Sequence, residues 1–267
     1  MVHGAFPCPA GDFPFPPDVR GAAILQPLGG KAVAISRGRS VDARFSPCST
    51  FKVVSLLLGL EAGAVSTLSD RLGYDGTRHE IEAWNRDVTL KEAFGVSCVW
   101  YFKKVMDRIS RERVERGLDR LGYGNRDLSL WDGRGHGGFW LRPGLAISPR
   151  EQVAVLGRIL TGKSGFSQDH ISLLKRCMRQ DPVLGNLPFY GKTGSGRDPV
   201  TGRLMGWFIG FCGVEEETTL LFAAHLDSPE RDLSGRDARE WIVRLVREYA
   251  ASGPHRKPRS RGNDRLK

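Results

Sequence analysis

Ser49 and Lys52 lie three residues apart in Ser46-Pro47-Cys48-Ser49-Thr50-Phe51-Lys52, a spacing that puts both side chains on one face of a helix. A serine hydroxyl is a poor nucleophile until a base takes its proton, and a lysine kept neutral by a dry pocket can help supply that base. The run that follows, Val53 to Leu60, is too apolar for a surface helix, so the pair is expected on a buried one. Ser-x-x-Lys alone is a weak signal. A second copy, Ser172 to Lys175, reads as ordinary helix filler. The first copy differs in having a Pro before the serine, a buried helix after it, and further motifs downstream.

Those motifs are Ser97-Cys98-Val99 at a predicted helix start, Tyr123-Gly124-Asn125 at a helix end, and Tyr190-Gly191-Lys192-Thr193-Gly194-Ser195-Gly196 at a strand end. A Lys-Thr-Gly strand offers an ammonium, a hydroxyl and backbone hydrogen bonds to an extended, carboxylate-bearing ligand. Singly these are a cap, a turn and a glycine-rich bend. In this order, separated by these kinds of element, they read as one site.

The elements that must carry them follow from hydrophobic periodicity. Ala22 to Leu25 and Ala32 to Ile35 flank Pro27-Leu28-Gly29-Gly30 and read as a β-hairpin. The Ser49 helix is expected to end between Gly59 and Gly63, and Trp84 to Asp87 to form a loop. Helical spacing marks Leu90 to Phe94, Val99 to Ile109 and Val114 to Leu121; Ser148-Pro149-Arg150-Glu151 is a capping box that starts another helix, to about Leu160. A further helix covers about Gln168 to Arg179. Strands are expected over Phe189–Thr193, Leu204–Gly213 and Thr218–His225, and a last helix over Asp237–Ala250. The order implies an α+β fold: an antiparallel β-sheet flanked by N- and C-terminal helices, with an inserted all-helical lobe at about residues 64–180. The domain is expected over residues 21–252, after a poorly ordered segment, 1–20, and before a basic disordered tail, 253–267. A site would form in the cleft between sheet and lobe.

Composition narrows the partners. The net charge is +10, but residues 254–267 hold six Lys/Arg against Asp264 alone, so half the excess sits in the tail. The rest is spread along helical segments without aromatic interleaving, which argues against a nucleic-acid partner. No stretch approaches the roughly 18 apolar residues of a membrane span. Cys8, Cys48, Cys98, Cys177 and Cys212 lack metal-ligand spacing; Cys48 and Cys98 read as small packing residues, with a disulfide as the lesser alternative. The N-terminus lacks the basic and apolar regions of a signal peptide, so an export segment is missing from the chain or the protein stays inside. The pattern leaves the oligomeric state open.

With these motifs the sequence resembles the penicillin-recognising serine enzymes. Within them it is most similar to the class D (oxacillinase-type) β-lactamases, Gram-positive-like branch, over about residues 22 to 250. The resemblance rests on Pro-Cys-Ser-Thr-Phe-Lys, Ser-Cys-Val-Trp-Tyr-Phe, Tyr-Gly-Asn, Trp140-Leu141 ahead of Ser148, Lys-Thr-Gly, and Gly206-Trp207-Phe208-Ile209-Gly210. It implies a β-lactamase/transpeptidase-like fold, β-lactam antibiotics as ligands, and an extracytoplasmic location. It further implies Ser49 as nucleophile and Lys52, N-carboxylated by CO2 or bicarbonate, as general base, with no other cofactor and no metal. Phe51, Val99, Trp140 and Leu141 would form the apolar pocket around that lysine. Ser97 and Lys192 would relay a proton to the leaving nitrogen, the Ser49 and Ser195 backbone N–H groups would form the oxyanion hole, and Thr193, Gly194, Ser195 and Arg236 would bind substrate.

Two rivals share these motifs. The sensor domains of receptors that induce β-lactamase are acylated without turnover, and usually have Asn at the position of Val99. A penicillin-binding transpeptidase would have Ser-x-Asn in place of Ser97-Cys98-Val99. Val99 favours the hydrolase over both.

Overall fold

The computed structural model describes residues 15–131, 138–198, 201–214 and 218–252. Its centre is a six-stranded sheet of order β2-β1-β6-β5-β4-β3, built from β1 (Arg20–Pro27), β2 (Val33–Arg37), β3 (Arg179–Gln180), β4 (Phe189–Arg197), β5 (Leu204–Gly213) and β6 (Thr219–Asp227). Every adjacent pair is antiparallel. The expected hairpin forms, with Leu25 opposite Val33 and Gly29 at φ +80 in its turn. The inner strands are apolar at nearly every position because both faces are covered. Alternation assigns the faces: Leu221 and Ala223 join one core, whereas Leu220, Phe222 and Ala224 join the other.

Helix α7 (Gly235–Ser252) covers the second face through Ala238, Trp241, Ile242 and Leu245. The first face carries α1 (Lys52–Glu61) and α5 (Pro149–Leu160), and beyond them α2 (Leu90–Gly95), α3 (Val99–Met106), α4 (Arg111–Leu121) and α6 (Gln168–Met178). Residues Lys52 to Leu60 are all buried, as an all-round apolar helix requires. α5 starts at the capping box: Glu151 N–H donates to Ser148 Oγ (3.2 Å), and Ser148 N–H donates to Glu151 Oε2 (2.9 Å).

Four expectations need correction. Helix α5 falls inside the span assigned to the helical lobe, yet it packs on β1, β5 and β6. The segment expected to be poorly ordered does not extend to residue 20. Instead Phe15, buried, stacks on Trp241 at 4.5 Å, and Arg37 donates to the Phe15 and Pro17 carbonyls at 2.8 and 2.9 Å. Residues 15–19 are therefore tied to the fold, while 1–14 and the tail from 253 lie outside the described residues. Trp84 ends a short 3-10 turn over Glu82–Trp84, where a plain loop was expected. Finally, β4 does not stop at Thr193. Gly194, Ser195 and Gly196 continue the ladder opposite Trp207, Gly206 and Met205, because antiparallel pairing outweighs the weak strand preference of glycine there.

Candidate active site

Cys48–Phe51 form a 3-10 turn that feeds α1, so Ser49 sits just ahead of the α-helix and Lys52 opens it. Lys52 Nζ and Ser49 Oγ are 2.7 Å apart. An ammonium would donate across that contact; a neutral amine would accept the hydroxyl proton. Ser49 keeps 8 % of its surface exposed and Lys52 none, so the hydroxyl is reachable and the amine is dry. Cys48 adopts φ +50, a left-handed conformation that costs a non-glycine residue free energy and tends to mark functional turns. Thr50 locks the turn by donating to the Pro47 carbonyl (2.6 Å) while accepting from Gln152 Nε2 (2.9 Å).

Burial pushes Lys52 down to a pKa of about 7, since desolvation penalises the ammonium. Its Nζ faces the Phe102 ring at 5.7 Å. Phe51 is fully buried and carries a stack of rings, with Trp140 at 5.7 Å and near-parallel, and Tyr123 and Phe139 edge-on. The Trp140 indole N–H is buried without a hydrogen-bond partner among the described residues. Such an orphan donor costs free energy unless something occupies the space before it. Trp140 belongs to a 3-10 turn, Phe139–Leu141, pinned by Ser46, whose hydroxyl donates to the Trp140 carbonyl at 3.1 Å. Ser46 in turn accepts the Trp207 indole N–H at its carbonyl, 3.0 Å away.

Lys192, on β4, donates to Ser97 Oγ and to the Thr193 carbonyl (2.9 Å). Its pKa is held well below the ordinary lysine value, chiefly by burial and further by the charge of Lys52. Two ammonium groups therefore disfavour each other in this site. Ser97 sits at φ +57 immediately before α3, so a strained backbone aims its hydroxyl at the strand. β3 pairs only with Phe189 and Tyr190, leaving the outer edge of β4 from Gly191 to Arg197 without a strand partner among the described residues.

That edge borders a cleft of about 550 Å³ lined by Thr193, Ser195, Ser234, Gly235, Arg236, Arg239 and Glu240. Arg236 is exposed, and Gly235 N–H donates to Ser195 Oγ at 2.9 Å. Two glycines permit this closeness. A Cβ on Gly196 would lie 2.4 Å from Cys48 Sγ, and one on Gly235 would lie 2.7 Å from the Gly194 carbonyl. Gly194 itself packs against Thr50 and Pro47.

The structure thus pairs Ser49 with Lys52 and Ser97 with Lys192 and packs Gly194 on the Ser49 turn, while Thr193, Ser195 and Arg236 line the neighbouring cleft. Phe51 and Trp140 are buried, and Val99 is half-buried at the first position of α3. Leu141 departs from expectation: it is 38 % exposed, because the turn that buries Phe139 and Trp140 directs its third side chain outward. Cys48, Cys98, Cys177 and Cys212 are free and buried, the packing reading rather than a disulfide; Cys8 lies outside the described residues. Sequence reasoning missed the supporting roles of Ser46, Gln152 and Trp207. Gln152 left a signal, a polar residue on the apolar face shared by Val153 and Leu156. Ser46 left none, since its partners are 94 and 161 residues away.

The penicillin binding protein transpeptidase domain matches residues 21–246. The chain belongs to the penicillin-binding transpeptidase family. Among its relatives, "Probable beta-lactamase YbxI" of Bacillus subtilis (strain 168) is 34 % identical over 232 residues, 87 % of this chain and 82 % of that protein. "Regulatory protein BlaR1" of Bacillus licheniformis is 33 % identical over 227 residues, 85 % of this chain but 36 % of the receptor. A crystal structure of a class D β-lactamase from Bacillus subtilis superposes with a TM-score of 0.76 at 34 % identity, covering 87 % of this chain and 92 % of that one. The fold is that of the class D β-lactamases. No helix of the described residues is long and apolar enough to cross a membrane.

Proposed function

We propose that this member of the penicillin-binding transpeptidase family is a class D β-lactamase, hydrolysing the β-lactam amide through an acyl-enzyme on Ser49. The observation that carries the reading is the Ser49–Lys52 contact of 2.7 Å with a fully buried lysine whose pKa is about 7. A lysine neutral near physiological pH can take up CO2, and the resulting carbamate is a base for the Ser49 hydroxyl and later for water. The surroundings fit that group. Phe51 and Phe102 supply apolar walls, and the unpartnered Trp140 N–H supplies a buried donor beside them.

This chain's residues then divide the work. Ser49 Oγ gives its proton to the base and bonds to the lactam carbonyl carbon, whose oxygen gathers charge. The Ser49 and Ser195 backbone N–H groups are assigned to that oxyanion. As the C–N bond breaks, the nitrogen takes a proton through Ser97 and Lys192, which already share a hydrogen bond. Thr193 and Arg236 line the cleft that holds the substrate carboxylate, and a guanidinium suits that pairing. Water then adds to the acyl carbon and Ser49 recovers its proton.

The similarity to BlaR1 favours a second reading, a sensor acylated without turnover. Val99 separates them, because valine offers Lys52 no hydrogen bond that would stabilise its uncarboxylated form. Nitrocefin turnover by the purified chain, stimulated by bicarbonate when CO2 is limiting, is the expected result. One equivalent of penicillin held for hours in bicarbonate would defeat the hydrolase. Val99→Asn should acylate but deacylate more slowly by one to two orders of magnitude, for a hydrogen bond to a charged group of about 1.5–3 kcal/mol.

A further inference from the structure

Around the corner of α7 from the candidate active site lies a second cavity of about 600 Å³, floored by the short strand β3. Lys91 of α2, Arg176 of α6, Arg179 of β3 and Arg239 of α7 converge on it, against one carboxylate, Asp181. Four cations from four elements thus face one acid, a net +3 within a single depression. Among the described residues, the ion pairs fall elsewhere: Arg86 takes Glu92, and Arg120 takes Glu61. Arg176 sits in the last turn of α6, where the helix dipole favours a cation. That accounts for roughly half a unit of charge. Arg239 is preset, since its Nε donates to Gln180 Oε1 (2.7 Å), while Gln180 Nε2 donates to the Gly191 carbonyl (3.2 Å). Among the described residues, its terminal nitrogens have no hydrogen-bond acceptor.

A comparison within the molecule shows that this is not merely a basic surface. The depression of about 520 Å³ at Arg113, Arg116 and Arg120 also holds Glu61 and Asp119. Those carboxylates are engaged by Arg120 (2.9 Å) and Arg126 (3.5 Å). One basic hollow sets three arginines against two carboxylates, net +1, while the other sets four cations against one acid, net +3. Guanidinium forks match tetrahedral oxyanions with paired N–H donors, and three forks plus an ammonium suit a ligand with several charges.

We infer that the Lys91–Arg176–Arg179–Arg239 cavity is a binding site for a soluble phosphoryl anion of the diphosphate class, separate from the β-lactam cleft though sharing Arg239 as a wall. Calorimetric titration of the full chain with inorganic pyrophosphate at a salt concentration of about 0.15 M, where surface charges are screened beyond about 8 Å, should show saturable 1:1 binding. Arg176→Gln with Arg179→Gln should weaken it at least about tenfold, as expected for lost charge-assisted bonds. Arg113→Gln with Arg116→Gln removes the same charge from the less basic hollow and should change affinity by less than about twofold. Lys91→Gln serves if circular dichroism shows the arginine pair misfolded, and should weaken binding roughly threefold or more. No saturable binding, equal losses in the two double variants, or no loss in Lys91→Gln would overturn the site. So would loss of binding in Arg236→Ala, which would move the anion to the neighbouring cleft. Pelleting with phosphatidylglycerol vesicles in the absence of pyrophosphate binding would assign the charge to a membrane surface and equally overturn it.

Discussion

The chain contains Ser-x-x-Lys twice, and the two copies end in opposite environments. Ser49 and Lys52 are buried between the sheet and α3, whereas Ser172 is exposed and Lys175 half-buried on α6. Spacing gives each pair the same chance to touch. What separates them is the company. The first pair has rings on several sides and a strand edge across the cleft; the second has α6 at its back and water in front. The motif supplies both pairs with the same atoms; desolvation is what differs between them.

The largest test of that contrast is covalent labelling. Mass spectrometry after incubation with penicillin should show one added drug mass. Ser49→Ala should abolish it, and Ser172→Ala should leave it intact; the reverse result would exchange the two copies. The lysines come next. Lys52→Met should slow acylation by roughly 10²–10⁴-fold, the usual contribution of a general base, in stopped-flow measurements. Lys175→Met should leave the rate within about twofold, as expected where water already solvates the amine.

A smaller effect is expected from the surroundings of the buried copy. Trp140→Ala removes the orphan donor and a wall, so acyl-enzyme should accumulate and deacylation should slow about tenfold or more. Unchanged turnover and unchanged bicarbonate response would take Trp140 out of the site. The pH response is the mildest. With CO2 limiting, the neutral fraction of Lys52 rises through its pKa of about 7, so acylation at pH 8 should exceed that at pH 6 by roughly tenfold. Burial lowers this lysine in the folded state while the unfolded chain keeps it near 10.4, so the unfolded state binds more protons between those values. Lys52 therefore makes stability rise with pH across that window. Denaturant titrations of Lys52→Met should show a shallower rise.

Much of this was legible because the residues advertise it locally. The apolar filling from Val53 to Leu60 announced a buried helix, and Ser148-Pro149-Arg150-Glu151 announced α5. Illegible features were those made by distant pairing. Glycines 194 and 196 suggest a bend when read alone, and only the β5 partner turns them into strand. Leu141 shares a sequence turn with Trp140, but a three-residue 3-10 turn sends its side chains in different directions, which spacing cannot reveal. Asp227, almost fully buried, accepts from Arg39 at 2.7 and 2.8 Å, 188 residues away. The charges were visible in the sequence; their pairing was not.

The pairing of β1 with β6 also sets a schedule. Arg20 meets Asp227 and Leu25 meets Phe222, so the first strand made waits for one of the last before it is enclosed. A nascent chain that has emerged only as far as α6 holds Ser49 and Lys52 but has neither Lys192 nor the strands that enclose them. Contacts this remote in sequence slow folding. During translation the helices can gather early, but Ser49 and Lys52 meet Lys192 and the enclosing strands only after most of the polypeptide has left the ribosome. Acylation by a β-lactam should therefore report completed synthesis, and a chain truncated before Phe189 should take up no drug.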